Sequence, residues 1–403
     1  MEQHRAVVVG AGIGGLTAAV ALSRQGWDVT VLERAAGLAP VGAGIALAPN
    51  ALRALDRIGL GEPVRELAAW QGDGGMRRPD GRWLARTDAQ AAAARFGGPL
   101  VLLHRATLVD LLTSALPDGA VRTAAPAALT DPGDARRPAR LITPDGETEA
   151  ELLVAADGIR SAARAALFPG HPGPRYSGFT TWRTVIPAPE APFAPHETWG
   201  PARLWGSQPL KDGRVYAYAM AAAPAGARAP HGEKAELLRL FGDWHHPVPA
   251  ILDAAEETTI LRHDVHHLID PLPAFHVGRT ALLGDAAHAM QPTLGQGGNQ
   301  AIEDAIVLAH HAGGPAGPGG SGGPAVPAAL AAYTADRLPR TTALVRKAAR
   351  TGRLALLSAR PAVALRDAAV TAVSRFGPGL VLRGFDGIAD WRPPVDDGAP
   401  RVS

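Results

Sequence analysis

The 403-residue chain has no cysteine. This removes disulfides, thiolate metal sites, cysteinyl attachment of a cofactor and any dithiol redox pair, so disulfide-reductase chemistry is excluded. Lysine is almost missing as well: among 40 basic residues only Lys211, Lys234 and Lys347 are lysines. Net charge is only +2 and the arginines form no cluster, so nothing points to nucleic acid. No window approaches the ~20 consecutive apolar residues of a membrane span, and mean hydropathy is +0.01. The opening MEQHRAVVVGAG pairs a charged start with an apolar run, but its glycines come too early for a signal-peptide core. It reads as a first strand, and the protein as cytoplasmic. The histidines His263, His266 and His267, and the pairs His245-His246 and His310-His311, have no cysteine or carboxylate at metal-ligand spacing, so no metal is expected.

The length suits two lobes sharing a core. Arg5 to Val9 is an apolar run that stops at Gly10-Ala-Gly12-Ile13-Gly14-Gly15. Leu16, Ala19, Val20 and Leu22 continue at helical spacing until Gly26, and Val29 to Leu32 forms a second strand ending at Glu33. Strand, glycine loop, helix, strand and acid make the order of a dinucleotide-binding βαβ unit. Gly10 permits the tight turn, Gly12 admits a pyrophosphate, and Gly15 brings helix close to sheet. Glu33 lies 23 residues beyond Gly10 (33 − 10), near the ~20 expected of an acid that accepts from a ribose hydroxyl. That unit leaves FAD and NAD both open.

A second stretch, RTALLGDAAHAMQPTLGQGGNQAIED from Arg279 to Asp304, reads as a strand that stops beneath a ligand. Gly284 breaks the strand and Asp285 projects from its carboxyl end. Pro292, Gly295, Gly297 and Gly298 form a loop whose backbone can lie close to a ligand. The helical spacing that begins at Asn299 then presents a helix N-terminus, suited to negative charge. A third acid, Asp157, follows the apolar strand Leu152 to Ala156 within DGIRSAAR. Between these come a second glycine turn at Pro40 to Gly44, a hairpin around Pro79-Asp80-Gly81, a surface connection from Asp88 to Arg95, and a helix opened by Arg105. Val121 to Ala155 has the turns of a meander.

From Tyr176 to Ile269 the texture is β-like: Trp182 to Pro187, Trp199 to Ser207 and Arg214 to Met220 alternate as strands, and Glu233 to Phe241 is a helix. Such a sheet, bearing aromatic side chains, would suit a flat substrate. Gly313 to Pro324 is low-complexity and lacks the lysine of a phosphate loop, and Ala328 to Leu356 is a long amphipathic helix.

With the first glycine loop and Glu33, the Asp157-Gly158 and Gly284-Asp285 turns together resemble the single-component FAD-dependent aromatic hydroxylases of the para-hydroxybenzoate hydroxylase fold, nearest the salicylate, urate and hydroxynicotinate hydroxylases. The resemblance runs from Arg5 to about Pro394. It implies an α/β fold: a Rossmann-like FAD-binding domain over 1–72, 98–175 and 275–403, C-terminal helices included, with an inserted antiparallel substrate domain over 73–97 and 176–274. It implies non-covalent FAD contacted by Gly10, Gly12, Ile13, Gly14, Gly15, Glu33, Arg34, Gly44, Ala46, Arg105, Asp157, Gly284, Asp285, Pro292, Gly295, Gln296, Gly297, Gly298 and Asn299, with Asp285 on the ribityl chain. Arg203, Tyr216 and Pro292 are implied at the reacting end, although Trp182-Arg183 departs from the urate branch. The implied reaction is NAD(P)H- and O2-dependent hydroxylation of an aromatic or enolic compound, such as a natural-product intermediate, through a flavin C4a-hydroperoxide, by a monomer or homodimer. A reductase or epoxidase on the same scaffold, or a non-catalytic flavin-binding redox protein, are the alternatives. A flavin halogenase is disfavoured because no lysine precedes Lys211.

Overall fold

A computed structural model describes residues 4–38, 43–68, 74–313, 326–375 and 383–394. Its first sheet has six strands in the order His276–Val277, Thr280–Leu282, Leu152–Ala155, Arg5–Val9, Asp28–Leu32 and Val121–Arg122. All neighbours pair in parallel except the edge strand His276–Val277. Parallel strands covered on both faces read as unbroken apolar runs, and Leu152–Ala155 is buried at every position. Ala6, Val8, Leu152 and Val154 face the core shared with helices Ile13–Arg24 and Gly297–Ala312. Val7 and Leu153 face the other way, onto Ala139, Leu141 and Ala150 of the meander. That meander is a three-stranded antiparallel sheet, Ala128–Asp131, Ala139–Thr143 and Gly146–Ala150. Because the main strands are parallel, Gly10, Glu33, Asp157 and Gly284 all emerge at one edge of the sheet, where open α/β sheets bind ligands.

The second large sheet has seven strands in the order Leu261–His267, Arg175–Pro187, Arg214–Ala222, Arg203–Pro209, His196–Gly200, Gly74–Arg77 and Trp83–Thr87. Strand periodicity sends alternate residues to opposite faces. Trp182, Ile186, Trp205, Val215, Ala217, Ala219 and Ala221 face a core closed by Leu237, Phe241 and Trp244 and by the helix Val248–Ala254. The opposite face carries Phe179, Leu204, Met220 and Val265, which pack on Ala355 at the end of the long helix Val326–Ala355. Truncating a fully buried residue such as Trp205 to alanine costs roughly 3–5 kcal/mol.

Two local expectations need correction. Trp199 to Ser207 is two strands, His196–Gly200 and Arg203–Pro209, because the chain turns at Pro201 and Ala202, the latter with φ +57°. The stretch Asp88 to Arg95 holds a helix, Ala89–Phe96, whose N-cap Asp88 accepts from the backbone N–H groups of Gln90 and Ala91 at 2.8 and 3.0 Å. Beyond the long helix the chain forms another, Arg360–Arg375. The low-complexity residues 314–324 and the glycine turn at 40–42 lie outside the described residues.

Candidate active site

The first glycine loop divides its work between packing and access. Gly10 has φ +103°, and a Cβ there would stand 2.4 Å from the Ala156 carbonyl oxygen. A Cβ on Gly15 would stand 2.0 Å from the Gly10 carbonyl oxygen, and one on Gly14 would meet Leu283 at 2.6 Å and Ala301 at 2.9 Å. These two glycines bring the helix against sheet and against helix Gly297–Ala312, while Ile13 is buried in the core. Gly12 alone has open space beside it, with nothing within 4 Å of a Cβ. Glu33 is tied to this loop: its carboxylate accepts from the N–H of Ala11 and of Ala35, both at 2.9 Å. Arg34 is exposed.

The other two acids are only partly satisfied by the protein. One Asp157 oxygen accepts from the Ala163 N–H at 3.2 Å, while Oδ1 is buried with no partner among the described residues. An unpaired buried acceptor costs ~1–3 kcal/mol, so Oδ1 implies a donor from outside the chain. Gly284, at φ +63°, lets the strand end and a short helix, Asp285–His288, begin. Asp285 is reached by water yet has protein around it on nearly every side, the surroundings of a cleft wall. Those surroundings raise its carboxyl above the usual range, against the pull of His288 and Arg105. Arg105 opens the helix Arg105–Ser114. Burial lowers its pKa, Asp285 supports its charge and Arg183 opposes it. No described residue accepts a hydrogen bond from the Arg105 guanidinium or lies within ion-pair distance of it. Gly44 pairs with His104, the residue before Arg105, and a Cβ on it would sit 2.4 Å from the Tyr216 ring. Arg105, Asp285, Gly44 and Tyr216 therefore bound one cleft between the two large sheets.

A buried polar network supports the loop 292–299. Pro292 and Gly295 are exposed, and helix Gly297–Ala312 begins two residues after Gly295. Ile45 lies 2.7 Å from where a Cβ on Gly298 would be. Asn299 accepts from the Ala48 N–H at 2.8 Å and donates to the carbonyls of Ala46 and Gly295 at 2.9 and 2.7 Å. Its side chain is spent holding the Gly44–Leu47 strand. The side chain of Gln296 is likewise turned inward, accepting from Asn50 and Gln300; what these two residues can offer a ligand is backbone. Deeper in, Arg337 donates to Glu303 at 2.6 Å and Asp304 at 2.7 Å, with all three buried. Arg340 also donates to Glu303, and His288 lies 2.5 Å from Asp304. Burial would raise the Asp304 carboxyl, but His288 and Arg337 hold it at about 2.

The expected partnership of Arg203 with Tyr216 does not hold. Arg203 pairs with Ala221 and Tyr216 with Gln208, so the parity of the strands places them on opposite faces. Arg203 donates to the Leu240 carbonyl and lies 5.7 Å from the Trp244 ring, on the helix-covered face. The arginine on Tyr216's face is Arg183, which pairs with Tyr218. Its Nη2 lies 3.1 Å from His263 Nδ1. Burial lowers the His263 pKa, followed by the charges of Arg183 and Arg262, so the imidazole stays neutral and its Nδ1 can accept. Burial pushes the Tyr216 hydroxyl up to about 12, so it remains a neutral donor. The alternation around Trp182-Arg183 in the sequence is the signal that could have identified Arg183.

The family profile described as FAD binding domain matches residues 3–348. The chain belongs to this family. Aurachin C monooxygenase/isomerase of Stigmatella aurantiaca is 39% identical over 306 residues, covering 75% of this chain and 79% of that protein. 3-Amino-4-hydroxybenzoate 2-monooxygenase of Streptomyces cremeus is 35% identical over 365 residues, 86% of each. Among solved structures, Klebsiella pneumoniae HpxO complexed with FAD and uric acid superposes with a TM-score of 0.85 at 27% identity, covering 96% of each chain. This FAD-binding protein thus has the para-hydroxybenzoate hydroxylase type of fold, and FAD is its cofactor. The open face at Gly12, the unpaired Asp157 Oδ1 and the unpartnered Arg105 fit a ligand with a diphosphate and sugar hydroxyls. Among the described residues no helix is long and apolar enough to cross a membrane, and no group of three or more His, Asp or Glu is placed to hold a metal ion.

Proposed function

We propose that this FAD-binding protein is an NAD(P)H- and O2-dependent monooxygenase that hydroxylates a small aromatic or enolic compound. What supports the reading is the carboxyl edge of the parallel sheet, along which Glu33, Asp157 and Asp285 follow separate strands, with Arg105 near both Asp285 and Arg183 of the sheet face that bears Tyr216. When bound, FAD supplies O2 activation with electrons drawn from the nicotinamide. The rest falls to side chains and backbone. Residues 1–72, 98–175 and 275–403 hold the cofactor, and 73–97 with 176–274 enclose the substrate. Gly12 admits the diphosphate, Glu33 accepts from the adenosine ribose, and Asp285 accepts from the ribityl hydroxyls beside the Arg105 charge. The N-terminus of helix Gly297–Ala312, preceded by Pro292 and Gly295, turns backbone N–H groups and a positive dipole end toward the flavin. Tyr216, protonated across the working range, donates a hydrogen bond and orients the ring. The substrate-facing residues are therefore Tyr216 and Arg183, while Arg203 supports the sheet from behind. The names of two relatives given above, a monooxygenase/isomerase and a 3-amino-4-hydroxybenzoate 2-monooxygenase, support this reading over a reductase.

The test is to purify the yellow holoprotein and follow NADH and NADPH oxidation with O2 uptake in the presence of phenols, aminohydroxybenzoates and quinolones. A product heavier by one oxygen atom is expected. A product heavier by two hydrogens would make the protein a reductase, and no stimulation of nicotinamide oxidation by any ring compound would leave it a flavin-binding redox protein.

A further inference from the structure

We infer that helix Arg360–Arg375 and the end of helix Val326–Ala355 form a docking face for an anionic lipid bilayer, on which the protein lies without crossing it. A helix on a protein surface ordinarily turns its apolar stripe inward and its charged side out. Helix Arg360–Arg375 does the reverse, for its buried residues are Arg366 and Asp367. Arg366 donates to Asp367 at 2.8 Å and to the Ala355 carbonyl at 3.0 Å, 5.4 Å from the Trp199 ring, and Asp367 lies 3.2 Å from Arg78 Nε. A charged pair thus seats the helix on the seven-stranded sheet. Leu365, Ala368 and Ala372, at spacings of three and four, point outward with Val373 beside them; Leu365 is 73% and Val373 43% exposed. With Leu354 at 45% and Phe385 at 38%, four of the seven exposed large hydrophobic residues among the described residues fall between 354 and 385, so the exposure is concentrated and not scattered.

The same segment is short of acid. Residues 341–385 hold eight Lys or Arg side chains and one carboxylate, Asp367, a net charge of +7 (8 − 1) that leaves −5 for the rest of the chain (2 − 7). Asp367 is already bonded to Arg366 and near Arg78. The arginines stand three or more residues apart in the sequence, and helical spacing gathers them. Arg346, Arg350 and Arg353 follow one exposed side of the long helix next to Leu354, while Arg360 and Arg375 mark the two ends of the apolar stripe. All five are exposed, and no described residue accepts a hydrogen bond from them or lies within ion-pair distance. Apolar side chains framed by unpaired cations match the two layers of a bilayer surface: the acyl boundary receives Leu354, Leu365 and Val373, and lipid phosphates receive the arginines. A second copy of the chain fits worse, because this face laid on itself sets arginine against arginine with no acid between them. Nucleic acid would use the charges and leave the apolar side chains in water.

The experiment sediments the holoprotein with vesicles of phosphatidylcholine alone or with about a third phosphatidylglycerol. Binding to the anionic vesicles is expected to exceed binding to the neutral ones about tenfold or more, and to be lost near ~1 M salt. Leu365→Glu, at a side chain already in water, should lower it about tenfold while flavin content and melting temperature stay at the parent level. Replacing Arg346, Arg350 and Arg353 together with glutamine should lower it through the charges alone. The parent comparison is decisive without any variant: equal binding to the two kinds of vesicle, or binding to neither, overturns the inference. So does anionic binding that survives both variants. Holoprotein that ignores vesicles and forms a dimer broken by Leu365→Glu gives the face to a second copy, and tighter binding to duplex DNA than to vesicles gives it to nucleic acid; either result overturns the bilayer. Nicotinamide oxidation with ring compounds in vesicle-free solution tests the monooxygenase reading by itself, so each can fail while the other stands.

Discussion

Replacing Arg337 with methionine tests whether the buried network beneath the flavin loop is what holds that loop in place. The guanidinium makes four hydrogen bonds: 2.7 Å to Asp304, 2.6 Å to Glu303, and 3.3 and 2.8 Å to the carbonyl and side chain of Gln300. Methionine fills much of the same volume but leaves two carboxylates in the core. Removing one partner of a buried ion pair costs ~3–5 kcal/mol. Here each acid keeps a second partner, Arg340 for Glu303 and His288 for Asp304, so the lower end applies. With ~2.1 cal/mol/K of unfolding entropy per residue over 403 residues, a loss of ~3 kcal/mol lowers the melting temperature by ~3–4 °C. The same substitution frees Gln300, which bonds Gln296 at the start of helix Gly297–Ala312, and Glu303, which bonds Asn50 of the neighbouring helix Pro49–Asp56, so FAD affinity is expected to fall too. Differential scanning calorimetry on apoprotein and holoprotein, with flavin fluorescence for binding, measures both. An apoprotein melting within ~1 °C of the parent would refute the reasoning, because ~3 kcal/mol requires more than that.

Other outcomes follow from the same geometry. Asp304 is held at about 2 against an ordinary value of 3.8, so its contribution to stability is complete above about pH 4 and lost as pH falls toward 2; acid titration of the parent should show that loss, and Arg337→Met should show less of it. Arg203→Met should lower the melting temperature while leaving substrate KM within about twofold, since the side chain faces helix Glu233–Phe241 and not the cleft. Tyr216→Phe should weaken ring binding by about three- to tenfold, the worth of one hydrogen bond. The parent should show no ionisation from Tyr216 below about pH 11, its hydroxyl lying near 12. Gly44→Ala should disturb substrate binding more than folding, because its methyl group would stand 2.4 Å from the Tyr216 ring and displace it; a crystal structure or KM measurement would show this.

The sequence made the cofactor end of the molecule readable because its signals are local. A strand, a glycine that forms a turn and an acid at the strand's end are adjacent along the chain, and parallel pairing alone brings Gly10, Glu33, Asp157 and Gly284 to one edge. The substrate end depends on parity. The face of Arg203 is set by the turn at Pro201 and Ala202, which divides what looks like one strand and fixes its pairing with Ala221, while that of Arg183 is set by its pairing with Tyr218. The buried network was hidden for another reason: Asn50, Glu303 and Arg337 are separated by 253 and 34 residues, and polar residues in a helix give no sign of which distant partner they meet. Asn299 and Gln296 were assigned to the cofactor by their place in a motif, whereas their side chains turn inward to hold Ala46, Ala48 and Asn50. The helix Ala89–Phe96 was in principle visible, since Asp88 is a strong N-cap residue and Gly97 takes the left-handed conformation common after a helix end.

The most direct measurement is the affinity of deflavinated protein for FAD, compared between the parent and Asp285→Ala by titration of flavin fluorescence. Charge-assisted hydrogen bonds to the ribityl chain are worth ~1.5–3 kcal/mol, so the substitution should weaken binding about 10- to 150-fold. A parent polypeptide that takes up no flavin, or an Asp285→Ala variant that binds it as tightly as the parent, would contradict the placement of the cofactor in this cleft.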